Sequence, residues 1–237
     1  MKTTLVATAL LCLIAVAMTT QAQNLKPFKD FDNLSLYGFK DIKGNIIVVG
    51  KYNYANEFSE GLALVSRASG YDDWGNEYYS WGFIDQTGEE VIPLKYKHAM
   101  SFSEGFAVVS LNGKFGYIDK TGKMTISEKY DGANSFIDGL ALVSANDKYG
   151  FINKKGEEII PLKYDEISEF SEGLSAVKIV DKTHMPYVIK RGYINKAGET
   201  VVTLKEYDYI LNFDKGKAEV KLNGRVFFID KTGTEIK

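Results

Sequence analysis

The chain has 237 residues, of which 45% are apolar and 13% aromatic, with 29 basic against 31 acidic side chains. That composition suits a packed core and excludes a disordered chain. A near-neutral balance without a basic run excludes the usual nucleic-acid and membrane-surface binders.

Residues 1–22 carry the pattern of a secretory signal peptide. Lys2 supplies the positive start, Leu5 to Met18 form an apolar run, and Thr20-Gln21-Ala22 sets small residues for cleavage after Ala22. The run is short for a bilayer span. Cys12 follows Leu11 inside that run, the wrong setting for a lipidated cysteine. The mature protein is therefore expected in the periplasm or at the cell surface, without a membrane span. Only Lys2 among the charges is lost, so 28 basic and 31 acidic residues leave a net charge of −3. Cys12 is the one cysteine, so the mature chain has no disulfide and depends on packing. Residues 23–36 read as a lead-in and 37–237 as one repeat domain.

Five segments of that domain open alike: Tyr37-Gly38-Phe39, Trp81-Gly82-Phe83, Phe115-Gly116-Tyr117, Tyr149-Gly150-Phe151 and, with Arg first, Arg191-Gly192-Tyr193. Val226-Phe227-Phe228-Ile229-Asp230 starts a degenerate partial sixth. The opening glycines lie 44, 34, 34 and 42 residues apart, so the base period is 34 and two copies carry insertions. Each opening runs into a turn glycine (Gly44, Gly88, Gly122, Gly156, Gly198, Gly233) and then an apolar strand such as Val91-Ile92-Pro93. A Lys before a Tyr follows, as in Lys95-Tyr96, then a Phe-x-x-Gly corner, as in Phe102 to Gly105. An alternating strand such as Leu62-Ala63-Leu64-Val65 closes the unit. Short runs rich in Val, Ile, Phe and Tyr, punctuated by Gly and Asn turns, predict three antiparallel strands per repeat. Residues 164–170 have room for one helical turn at most.

In the closing strands one face is small then branched (Ala63/Val65, Ala107/Val109, Ala141/Val143, Ser175/Val177, Ala218/Val220). The other is apolar until the last copy, where Lys217 and Glu219 take over. A strand apolar on both faces is buried on both faces, and a polar last face suits a terminal cap. The expected architecture is all-β: stacked three-stranded units in an open solenoid or superhelical sheet. The alternative is a five-bladed β-propeller closed through Phe227–Asp230, whose blades usually need about 40 residues or more.

The recurring phrases Trp/Tyr-Gly-Phe-Ile-Asp-Lys-Thr-Gly, Glu-Val-Ile-Pro-Leu-Lys-Tyr and Phe-Ser-Glu-Gly-Leu-Ala-Val-Val resemble the bacterial WG-repeat family, from about Tyr37 to Lys237. Only Trp81-Gly82 shows the naming dipeptide literally. The resemblance implies a β-rich interaction module and supplies no catalytic residues to carry over.

Catalytic chemistry finds no pattern. His98 and His184 sit in no motif, and no Gly-x-Ser-x-Gly elbow, Walker loop or Cys/His cluster is present. The acids and amides after the opening (Asp85, Asp119, Asn153, Asn195, Asp230) are read as turn starters that bond the backbone two residues on. The Lys before Tyr is read as a solvated or ion-paired strand end, bridging to Glu60, Glu104, Asp138 and Glu172. Phe58, Phe102, Phe136, Phe170 and Phe213 are read as a core ladder. No enzyme, metal or cofactor is expected.

The insertions are left over. The first, Arg67 to Trp81, gathers Tyr71, Asp72, Asp73, Trp74, Tyr78, Tyr79 and Trp81. Flat aromatic faces beside acids suit sugar rings and their hydroxyls; the plainer reading is an elongated hairpin whose aromatics pair across strands. The second, residues 179–190, includes His184-Met185-Pro186-Tyr187 and lengthens a hairpin. The function expected is that of an exported monomeric repeat module for protein interaction or envelope scaffolding. The alternative is a carbohydrate-binding module using residues 67–81. The partner is an unidentified protein or an envelope polysaccharide, and not nucleic acid.

Overall fold

The computed structural model describes residues 25–183 and 185–236. Residues 1–22, where a signal peptide is expected, together with Cys12 and His184, lie outside the described residues. Within them the chain forms 23 strands and no helix, and it divides between Glu128 and Lys129 into two units.

The first unit begins with a three-stranded sheet, β1 (Lys26–Asp30), β2 (Leu36–Lys40) and β3 (Ile46–Tyr52). The second sheet is β4 (Tyr54–Ser59), β5 (Leu62–Tyr71), β6 (Glu77–Ile84) and β7 (Glu90–Tyr96). The third is β8 (His98–Ala99), β9 (Phe106–Ser110), β10 (Phe115–Asp119) and β11 (Met124–Tyr130), whose last two residues fall in the second unit. The second unit continues with β12 (Gly132–Ala133), β13 (Leu140–Ala145), β14 (Lys148–Asn153) and β15 (Glu158–Tyr164) as the fourth sheet. The fifth is β16 (Glu166–Ile167), β17 (Leu174–Asp181), β18 (Val188–Asn195) and β19 (Thr200–Lys205). The sixth is β20 (Tyr209–Ile210), β21 (Lys217–Leu222), β22 (Arg225–Asp230) and β23 (Glu235–Ile236). The all-β expectation and its repeated antiparallel sheets are what the chain adopts.

Two details differ from the expectation. Each later sheet has a fourth member, a short edge strand after the Lys-Tyr pair, in four cases only two residues long. It pairs with the closing strand, as Ile167 does with Val177, so residues 164–170 supply a strand and not a helical turn. Two residues are too few to leave a periodic signal. The lead-in also holds a strand: β1 pairs with β2 from Lys26↔Lys40 to Asp30↔Leu36 and occupies the place of a closing strand.

The opening glycine has a steric cause. Between Trp81↔Tyr96 and Phe83↔Ile92 the pairing slips, so β7 bulges over β6. A Cβ on Gly82 would lie 2.6 Å from the Ile92 carbonyl oxygen and 2.8 Å from the Leu94 nitrogen. Gly38, Gly116, Gly150 and Gly192 face the same backbone at 2.3–2.5 Å. The dipeptide therefore marks a close backbone approach at a bulge.

The corner Ser59-Glu60-Gly61-Leu62 is a tight hairpin with Glu60 at φ 53° and Gly61 at φ 90°. Positive φ at both central residues matches the right-handed twist of the strands. The other turn runs from Asp85: its carboxylate accepts from the amides of Thr87 (2.8 Å) and Glu89 (3.1 Å) and from the Thr87 hydroxyl (2.6 Å). Asp119, Asn153, Asn195 and Asp230 repeat that cap. The turn reading of these residues therefore holds.

The core lies between successive sheets. Phe39, Val48 and Tyr52 of the first sheet meet Ala63, Val65 and Ile84 of the second. The other face of the second, Leu62, Leu64, Phe83 and Ile92, meets Ala107, Val109 and Ile118 of the third. In the second unit Phe151 and Ile160 meet Val177 and Ile194, and Tyr193 and Val202 meet Ala218, Val220 and Ile229. Corner phenylalanines pack on the aromatic that follows the opening glycine, at 5.5 Å for Phe58 on Phe39, 4.8 Å for Phe102 on Phe83 and 4.8 Å for Phe213 on Tyr193. The ladder is thus built of pairs within a repeat. Of the face of the sixth sheet expected to turn to water, Lys217 is exposed and Glu219 is half-buried beside the Tyr209 hydroxyl. Lys217 Nζ lies 4.6 Å from the Phe228 centroid and the Tyr209 hydroxyl donates to Glu219 at 2.6 Å.

Candidate functional site

The first insertion lengthens the β5–β6 hairpin. Pairing runs on from Ser66↔Trp81 through a bulge between Ala68 and Gly70 to Tyr71↔Glu77. A repeat cap closes it: Asp72 accepts from the amides of Trp74 (3.0 Å) and Asn76 (2.8 Å) and from the Asn76 side chain (2.9 Å). The Asn76 side chain, then the backbone amides, hold the Asp72 pKa below its usual value.

The seven residues singled out in this insertion separate into several places. Asp72 is occupied by the turn, and Asp73 beside it is exposed. Trp74 stands on the tip with 85% of its surface in solvent, and Tyr71 with 69%. The Tyr78 ring lies across Gly70, where a Cβ would be 2.3 Å from the phenol oxygen. Glu77, Tyr79 and Trp81 alternate onto the face that Tyr71 shares by pairing with Glu77. The Tyr79 hydroxyl donates to Glu77 at 2.5 Å, and that bond raises its pKa. The elongated hairpin is therefore the structure, with Tyr71 and Trp74 in solvent towards its tip.

Three aromatics of the hairpin form one wall of a groove. Tyr78, Tyr79 and Trp81 line a cavity of about 690 Å³ together with Lys97 and His98. Tyr54 packs edge-on to Trp81 at 5.1 Å, and His98 stands 5.9 Å from Phe115. Sequence reasoning missed Tyr54, Lys97 and His98 because they sit on or beside the short edge strands. Arg67 is not in the groove. It donates to Glu90, which also accepts from the Tyr52 hydroxyl at 3.0 Å and lies 3.4 Å from Lys51. Burial pushes the Tyr52 pKa up to about 12 against the opposing charge of Arg67. The other lysines of this position, Lys95, Lys129 and Lys163, lie over the ring of the following tyrosine at 5.1–5.3 Å.

The groove occupies a fixed row of the repeat. Across the second sheet Tyr54, Ser66, Trp81 and Tyr96 are directly opposite one another. The same row is His98, Ser110 and Phe115 in the third sheet and Gly132, Ser144, Tyr149 and Tyr164 in the fourth. In the fifth it becomes Glu166, Lys178, Arg191 and Lys205. The two lengthened hairpins, β5–β6 and β17–β18, both extend from this row.

These sheets, caps and bulge-facing glycines define a tandem-repeat β protein. The family described as WG containing repeat matches residues 37–69, 81–115, 115–149, 149–182 and 192–225, more than half of the chain. The chain belongs to that family. The gaps between matched segments, 70–80 and 183–191, fall on the two hairpin extensions. No curated protein sequence matches the chain. Among solved structures it is similar to a chain of the "Crystal structure of the eukaryotic initiation factor", with a TM-score of 0.50 and 11% identity over 90% of this chain. It spans 62% of that chain's length. At that identity the likeness is one of fold alone.

Proposed function

We propose that the protein is an exported, non-catalytic binding module for protein interaction or envelope scaffolding. Its partner would be engaged by the β5–β6 hairpin and the groove at its foot. Trp74 carries this reading: an indole 85% exposed on a hydrogen-bonded turn. Tryptophan is among the residue types enriched at the energetic centres of protein interfaces. Export rests on residues 1–22. The non-catalytic part is supported by the recurring acids, whose oxygens accept from turn amides, whereas a general acid or base needs one positioned for substrate.

The groove lining favours a second reading, a sugar chain. Tyr79, Trp81 and His98 offer flat rings, and Lys97 and the Tyr79–Glu77 pair offer hydroxyl partners. Wild type, Trp74→Ala and Tyr79→Ala are to be compared on a glycan array and in chemical cross-linking to purified envelope proteins. A protein partner lost with Trp74→Ala supports the first reading, and a glycan lost with Tyr79→Ala the second. A double variant that keeps every partner of the wild type overturns both.

A further inference from the structure

The fifth sheet repeats the groove with different chemistry. Its row sets Lys178 directly opposite Arg191, and Arg191 directly opposite Lys205. Like charges directly opposite on a sheet repel and destabilise it. One carboxylate of the row answers them: Glu166 lies 2.6 Å from Lys178 Nζ. Among the described residues Arg191 has no carboxylate partner; it donates through Nη1 to the Tyr207 carbonyl at 2.5 Å. Three cations against one acid leave the row with a surplus of positive charge.

That surplus lines a cavity. Lys178 and Arg191, with Glu166, Ser168 and Asn212, surround about 250 Å³ whose remaining walls include Ile167 and Ile210. The Tyr207 bond engages one terminal nitrogen of the guanidinium, leaving the other and Nε as an edge. Such an edge matches the two oxygens of a carboxylate. The volume is below the usual range for whole ligands, about 300–1,000 Å³, and so suits a single charged group. Glu166 and the Asn212 amide add an acceptor and a mixed donor–acceptor for hydroxyls beside it.

We propose that the groove between the fifth and sixth sheets binds a carboxylate-bearing sugar, a uronate, with Arg191 as the fork and Lys178 as the second cation. This inference is independent of the hairpin reading, since it concerns another sheet and other residues.

The probe is D-glucuronate, with glucose and inorganic phosphate as controls, followed by amide NMR on the full mature chain. Glucuronate should shift the amides of 176–178, 191 and 210–212 saturably, glucose should not, and phosphate should bind at least about tenfold more weakly. Arg191→Gln should weaken glucuronate at least about tenfold, a loss of 1.4 kcal/mol or more by the tenfold constant. Arg191→Lys, which keeps the charge without the fork, should lose several-fold and serves if the glutamine variant does not fold. Phosphate binding as tight as glucuronate would make this a plain cationic patch and overturn the proposal. So would glucuronate binding that is absent, or unchanged in both variants.

Discussion

Glu60 Oε2 lies 3.1 Å from Lys120 Nζ and accepts from the Gly105 amide at 2.9 Å. A carboxylate on one hairpin corner thereby ties the first repeat to the second and third. Beside it the Ser59 hydroxyl donates to the Phe102 carbonyl at 2.7 Å. The second unit repeats the device: Glu172 lies 3.0 Å from Lys231 Nζ and accepts from the Gly216 amide at 3.0 Å, and Asp138 pairs with Lys196 at 2.9 Å. The acids that sequence phasing assigned to the lysine before each tyrosine thus pair, where the partner is defined, with turn lysines two repeats further on.

These clamps set an acid limit. Burial alone would raise the Glu60 pKa, but the bonds from Lys120 and Gly105 outweigh it and the value falls below the usual 4.5. Glu172 is lowered as well, chiefly by Lys231. A lowered folded pKa stabilises above the unfolded value and is lost as pH falls through the folded one. Melting midpoints should therefore be flat from neutral pH to about 5 and drop below about 4.3. The Glu60→Gln, Glu172→Gln double variant should melt lower at pH 7 and show a shallower acid decline.

Two kinds of glycine should respond differently to alanine. Gly150→Ala drives a Cβ to 2.3 Å from the Ile160 carbonyl, and should cost about 3 kcal/mol, the upper end for overpacking against backbone. Gly173 has open space around it and φ 88°, so Gly173→Ala should cost only the left-handed strain, about 1–2 kcal/mol. Urea titration of both variants checks the order, which reverses if the glycine after the aromatic serves only flexibility.

The turn acids give a chemical control. Asp119 caps Thr121 and Lys123, and Asn153 and Asn195 do the same work in later repeats. Asp119→Asn should leave the melting midpoint nearly unchanged and Asp119→Ala should lower it. Equal losses in both would mean that the charge, not the cap, matters there.

Repeat phasing made much of the fold legible, because every Gly, Phe and Asp of the unit recurs under one packing constraint. The corner, the cap and the two-faced closing strand all follow from it. The short edge strands escaped: His98–Ala99 and Glu166–Ile167 are too brief for alternation to register. That omission hid two of the five residues that line the groove, since Lys97 and His98 come from this stretch. The insertion was recognisable as an interruption, but its composition could not say which ring goes where. Tyr78 and Tyr79 are neighbours in sequence, yet alternation sends one over Gly70 and the other beside Glu77.

Stability should separate tip from core. Trp74→Ala removes an exposed ring and should change stability by no more than about 0.5 kcal/mol. Trp81→Ala, half-buried against Tyr54, should cost about 2 kcal/mol, and Phe102→Ala in the core about 3–5 kcal/mol. Thermal melts of the three variants check the ranking. A large loss with Trp74→Ala would make the indole a packing residue and not a contact.

The most direct test of the hairpin as the binding surface is a photo-cross-linking amino acid placed at position 74 in the native host. The same residue at Asp147, on the short Asn146-Asp147 turn of a repeat without an insertion, serves as the control. The expected result is a discrete adduct from position 74, absent from position 147 and abolished by Tyr79→Ala when the groove is shared. No adduct from position 74, or the same adducts from both positions, would contradict the assignment of the partner surface to the β5–β6 hairpin.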